Sequence, residues 1–135
     1  MRSLFLVSVL LVSLGLVACS GDTTAPPFSS PSPAVDPGAD LTDAVRAFSD
    51  ACLAGDGEAS WRLLSERGRD ATSKDSWRAI VAEISRRWGK AKLKEIKVVA
   101  IGEDAALVSY RYTDPAIDQL REPWVREAGA WRCDQ

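Results

Sequence analysis

Histidine is absent from the 135 residues, so the side chains able to do covalent or proton chemistry are three cysteines, two tyrosines, the serines and scattered carboxylates. Tyr110 and Tyr112 alternate within one apolar segment, with Asp114 and Asp118 just beyond. A carboxyl group whose pKa is raised by burial can act as a base while a tyrosine donates to an enolate-like oxygen. No carboxylate falls at an inward alternating position around these tyrosines, however, and Glu95 lies on the wrong face. Tyrosines that share a face with Val108 read equally as packed core with a satisfied hydroxyl. Ser65, Ser73 and Ser109 have no histidine to activate them, and no Gly-x-Ser-x-Gly turn is present. Acidic residues occur singly, without the one-three-five spacing of a calcium loop, and no metal or cofactor is expected.

Cys19 has the strongest local context. A single Arg2 precedes an uncharged run from Ser3 to Ala18, the layout of a secretory signal and too short for a span of about 20 apolar residues. The ending Leu16-Val17-Ala18-Cys19 resembles the bacterial lipoprotein lipobox. That resemblance implies a diacylglyceryl thioether on Cys19, cleavage after Ala18, and attachment to the bacterial cell envelope at the outer face of the cytoplasmic membrane. Two acyl chains, at about 0.8 kcal/mol per buried methylene, hold a protein where one is marginal. An ordinary secretory signal with a chance cysteine is the alternative.

The chain then divides into residues 1–18 as signal, 19–40 as lipidated cysteine and tether, and 41–135 as one domain. Five of the seven prolines fall between Ser20 and Asp40, among Ser, Thr, Gly and Ala, a composition that cannot bury a core. A coil of that length spans roughly 25 Å. The other reading, a Pro-rich ligand for a partner's groove, lacks a repeated spacing. Of the charged residues only Arg2, Asp22, Asp36 and Asp40 precede the domain, leaving sixteen basic against sixteen acidic side chains within it. That balance argues against a nucleic-acid partner.

If lipid consumes Cys19, an even pair remains. Cys52 and Cys133 near the domain's two ends would form a disulfide in an oxidising compartment, worth roughly 4 kcal/mol for a loop of about 80 residues. Two buried free thiols on facing apolar surfaces are the alternative.

Hydrophobic periodicity supplies the elements that must position these groups. Asp40 is placed to cap a helix whose Leu41, Ala44, Val45, Phe48 and Cys52 form one stripe, stopped by Gly55. A short helix from about Glu58 to Arg67 carries Trp61 and Leu64. The third, capped by Ser73, carries Trp77, Ile80, Val81, Ile84 and Trp88 and ends at Gly89. Alternation follows: Ile96, Val98 and Ala100 on one strand, a turn at 102–104, then Ala106, Val108, Tyr110 and Tyr112 on the next. Two short strands, Trp124 to Glu127 and Trp131 to Cys133, flank Ala128-Gly129-Ala130, with Pro123 at a strand start. The class is α+β: three N-terminal helices packed on a curved antiparallel sheet of about four strands.

The first helix ending in Gly55-Asp56, the Trp61-Arg62-Leu63-Leu64-Ser65 segment, the two-strand meander and the closing Trp124-to-Arg132 hairpin together resemble the nuclear transport factor 2-like, cystatin-like superfamily. The resemblance implies a cone-shaped fold, often dimeric, shared by enzymes and non-enzymatic modules.

Two surface features remain. Arg86, Arg87, Lys90, Lys92, Lys94 and Lys97 face one Glu95 and could meet an anionic surface, or simply solvate a helix end favoured by its dipole. Trp61, Trp124 and Trp131 near element ends could rim an apolar pocket or an interface, although core packing is the default for each. The expected protein is a lipid-anchored extracytoplasmic lipoprotein, a non-catalytic module binding a protein partner, a second copy or a small apolar ligand. The alternative is a proton-transfer enzyme of the isomerase or dehydratase kind using Tyr110 or Tyr112 in the cone.

Overall fold

The computed structural model describes residues 36–135; the signal segment, Cys19 and most of the tether lie outside the described residues. Helix α1 runs Pro37–Ala54 and begins one turn before the expected cap. Asp36 caps it instead, accepting from the Gly38 N–H at 2.9 Å, and Pro37 occupies the first turn, where its fixed φ suits a helix. Asp40 adds favourable negative charge to that turn. Leu41, Val45, Phe48 and Cys52 are all buried, and Gly55 ends the helix at φ 80°, a conformation that other residues adopt only with strain.

The single helix expected from Glu58 to Arg67 is split into α2 (Gly57–Arg62) and α3 (Glu66–Asp70). Residues 63–65 leave the helical path to meet the end of the sheet. The Cys133 N–H donates to the Leu63 carbonyl, and the Ser65 N–H to the Cys133 carbonyl, both at 2.8 Å. Ser65 then caps α3 through its hydroxyl, which accepts from the Gly68 N–H. Helix α4 (Lys74–Trp88) starts at Ser73 as expected, with Trp77 and Val81 buried and Ile80 46% exposed at the margin of the stripe. Helices α2 and α4 approach closely at Gly57, where a β-carbon would stand 2.8 Å from Arg78 Cγ and 3.0 Å from Arg78 Cα.

Four antiparallel strands follow in sequence order: β1 (Leu93–Ile101), β2 (Ala105–Tyr112), β3 (Gln119–Glu127) and β4 (Ala130–Cys133). Register shifts at Leu93/Glu95, Val98/Ala100 and Val108/Tyr110 bend the sheet around the helices. The second shift overturns one expectation: Ala100 pairs with Leu107 and is exposed, while Ile101 stands opposite Ala106. The third explains why β3 starts well before Trp124. Arg121 adopts φ 56°, its N–H donates to Ser109 Oγ, and the strand continues through Pro123 opposite Leu107. Ala128 and Gly129, both at positive φ, make the tight turn into β4.

An aromatic ladder joins the two layers. Trp77 of α4 stacks on Phe48 of α1 at 6.2 Å, and Phe48 meets Trp124 of β3 edge-on at 5.9 Å. Trp77 Nε1–H donates to buried Ser60 Oγ at 3.0 Å, which fixes the indole in the core. A Gly57→Ala substitution should therefore destabilise the domain by about 1–3 kcal/mol, since the arginine side chain can swing aside but its backbone cannot. Urea unfolding checks it; a midpoint equal to wild type would mean that α2 and α4 are not held in contact.

Candidate functional site

The inner face of the sheet, closed over by α1 and α4, is where a site would form. Its side chains alternate as predicted along β2, so Ala106, Val108 and Tyr110 are buried and Tyr112 is half-buried. The tyrosine rings meet edge-on at 6.0 Å. A cavity of about 100 Å³ remains between them and the helices, bordered by Phe48, Ser49, Cys52, Trp77, Gln119 and Gln135 among others.

Polar groups here are largely engaged. Ser49 Oγ–H donates to the Tyr112 hydroxyl oxygen at 2.8 Å. Tyr110 is 1% exposed, and burial, followed by the neighbouring Cys133, Tyr112, Glu122 and Cys52, pushes its hydroxyl far above the ordinary tyrosine range. Burial likewise pushes Tyr112 up to about 12, against the lowering bond from Ser49. Asp114 and Asp118, the nearest acids in sequence, serve the backbone: Asp114 accepts from the Ala116 N–H at 3.0 Å and Asp118 from the Tyr112 N–H at 2.8 Å. The serines are also committed, Ser65 and Ser73 as helix caps and Ser109 as acceptor from the Arg121 N–H.

Sequence reasoning missed Glu122. It pairs opposite Val108 on the inner face, half-buried, and desolvation raises its carboxyl above the usual range, although a hydrogen bond with Gln135 lowers it somewhat. Alternation from Trp124 back to Glu122 would have flagged it, but Pro123 made the segment look like a loop. Glu122 does not border the cavity. A tyrosine hydroxyl and an acid thus share the cone's interior without converging on one open space.

The cysteines are brought into one core cluster but not joined. Cys52 and Cys133 are free thiols in the structure, contrary to the expected bridge, and pack as small apolar groups. Burial raises both, Cys52 to about 12. The tryptophans expected at a rim are mostly inside: Trp124 is 0% exposed and Trp131 is buried beneath Arg126, whose guanidinium lies 4.8 Å from its ring, while Trp61 packs partly buried against the core. Their placement follows from β3 being a central strand with Trp124 on its inner face. The basic strip is likewise divided. Arg86 and Arg87 are bound to Glu83, which they hold down at about 2, whereas Lys90, Lys92, Lys94 and Lys97 are exposed and make no ion pair among the described residues.

On the outside, the helical and strand layers are tied by Ser65, Arg67 and Asp134. Ser65 Oγ–H donates to Asp134 Oδ1 at 2.6 Å, and Arg67 grips the same carboxylate through Nε at 3.0 Å and Nη2 at 2.9 Å. These contacts hold the Asp134 carboxyl below its ordinary value.

No family model and no curated protein matches the chain. Among solved structures, a Campylobacter jejuni protein provisionally named an NTF2-like transpeptidase superposes with a TM-score of 0.52 at 15% identity, over 70% of this chain and 96% of that one. At that identity the likeness shows the fold, and the architecture is of the nuclear transport factor 2-like α+β type.

Four groups whose neutral form the fold favours, buried Cys52, Cys133 and Tyr110 and half-buried Tyr112, predict alkaline sensitivity. The unfolded chain releases these protons first, from about pH 9 to 10. Stability is therefore complete below that range and falls as pH climbs towards about 12 for Cys52 and Tyr112. Each group contributes a slope approaching about 1.4 kcal/mol per pH unit. Urea unfolding between pH 8 and 11 measures this, with Tyr112→Phe showing a shallower fall; a flat profile would contradict the burial of these groups.

Proposed function

We propose that this chain is a lipid-anchored extracytoplasmic lipoprotein whose domain is a non-catalytic binding module, held on Cys19 at the outer face of the cytoplasmic membrane. The observation that carries the non-catalytic reading is the filled cone. A space of about 100 Å³ lies well below the roughly 300–1,000 Å³ of small-molecule sites, so an apolar ligand of useful size has no room and recognition falls to the surface.

Two catalytic readings are weaker. Proton transfer would need Glu122 and a tyrosine hydroxyl to face one substrate, and Glu122 stands outside the cavity. Transpeptidation, suggested by the name of the Campylobacter jejuni protein, needs an activated nucleophile. Here the thiols are buried with raised pKa, the serines cap helices or brace a bulge, and the chain has no histidine to serve as base.

Labelled palmitate fed to the native host should enter the wild-type protein and not Cys19→Ser; equal label in both would remove the anchor. Incubated in D₂O with a panel of small ketones and keto acids, the domain should give no α-deuteration above buffer by NMR. Deuteration that disappears in Tyr112→Phe and Glu122→Gln would move the assignment to a proton-transfer enzyme.

A further inference from the structure

The helices cover one face of the sheet, and among the described residues nothing covers the other. Strand pairing places Lys97 opposite Ser109, and Glu95 opposite Arg111, on this outer face, with Leu107 opposite Pro123 beside them. Two shallow grooves adjoin there. One, of about 440 Å³, is walled by Ala105, Leu107, Pro123 and Val125; the other, of about 290 Å³, by Lys97, Val99, Arg111 and Leu120.

Single exposed apolar residues are normal on a protein surface, but their grouping here is not. Of four exposed large hydrophobic side chains among the described residues, Leu120 at 69% and Val99 at 38% wall the second groove together, whereas Ile101 stands opposite inner-face Ala106 and Ile80 lies on α4. Leu120 precedes the Arg121 bulge, and such bulges re-aim side chains. Around the second groove stand Lys97, Arg111 and Arg121, with Lys94 in the neighbouring bulge, against Glu95; the first groove is bordered by Asp134, which Arg67 already neutralises, and by the turn that carries Glu103 and Asp104. None of the four cations around the second groove has an ion-pair partner among the described residues.

We infer that the outer face of β1–β3 lies flat on an anionic phospholipid surface, with Leu120 and Val99 entering the headgroup boundary and Lys97, Arg111 and Arg121 on lipid phosphates. An apolar centre rimmed by lysine and arginine is the chemistry that such a surface recognises. A two-fold contact between copies through the same face would set like-charged rims against each other. The inference deepens the surface-binding reading and rests on the Cys19 anchor, because a lipid on Cys19, so close in sequence to α1, would hold the domain at high effective concentration beside the membrane.

The test uses the full lipidated protein in vesicles of neutral lipid or of neutral lipid with one-third phosphatidylglycerol. A polarity-sensitive thiol probe is placed by Leu120→Cys, with Ile80→Cys on α4 as control, since Cys52 and Cys133 are buried. Both vesicle types should capture the protein, but the Leu120→Cys probe should blue-shift only on anionic vesicles, and the Ile80→Cys probe on neither. Replacing Lys97, Arg111 and Arg121 with Gln should lower the docked fraction relative to the undocked on the order of 100-fold. Raising salt towards 1 M, where screening acts within about 3 Å, should release the face. A solvent-exposed Leu120→Cys probe on both vesicles, with capture intact, overturns docking and leaves the anchor standing. A shift that tracks protein concentration in detergent without vesicles overturns it in favour of a second copy. Capture by anionic vesicles alone overturns the anchor while supporting docking, and capture by neither overturns both.

Discussion

Trp77, Phe48 and Trp124 form the contact on which the remainder of the domain depends. A bent sheet and the helices across it enclose a space that must be filled, because a void forfeits both the hydrophobic gain and the dispersion contacts of its lining. Three large rings, one from each of α4, α1 and β3, occupy that space and set the separation of the layers. The bond from the Trp77 indole to Ser60 adds α2 to the same unit, and the absence of a β-carbon at Gly57 lets α2 pass that close to α4. The same filling leaves a cavity of only about 100 Å³ between the tyrosines and the helices.

The same constraint organises the polar groups. A hydroxyl or thiol placed within this packing must find a partner or remain neutral, and both outcomes occur: Tyr112 accepts from Ser49, while Cys52 and Cys133 stay protonated. Charge is pushed outward, to the Arg67–Asp134 pair at one end of the sheet and to the lysines and arginines on its outer face.

Much of this architecture was legible because helical stripes and strand alternation come directly from burial. Leu41, Val45, Phe48 and Cys52 marked α1, and Ala106, Val108 and Tyr110 marked the inner face of β2. What escaped were breaks in period. The three bulges each displaced one residue from the alternation, so Ala100 was assigned to the wrong face, and β3 was read as starting at Pro123, which left Glu122 in the loop before it. Splitting of the second helix was invisible for a related reason: Leu63 to Ser65 follow a helical spacing, and only the distant carbonyl and N–H of Cys133 draw them out of it. Tryptophans near element ends looked peripheral because the strand containing Trp124 was taken to be short.

That stitch between Leu64 and Cys133 has one more effect. It occupies hydrogen-bonding groups of β4 that would otherwise line an open margin, so among the described residues the long unpaired edge of the sheet is that of β1. Unpaired edges invite a strand from another chain, the first step of runaway polymerisation, and proteins commonly defend them with lysine and with bulges. Strand β1 has both defences, Lys94 and Lys97 together with two register shifts in nine residues. A protein held on a two-dimensional surface, as proposed for this chain, would meet copies of itself far more often than one free in solution, and this defended margin would let such crowding occur without fibres.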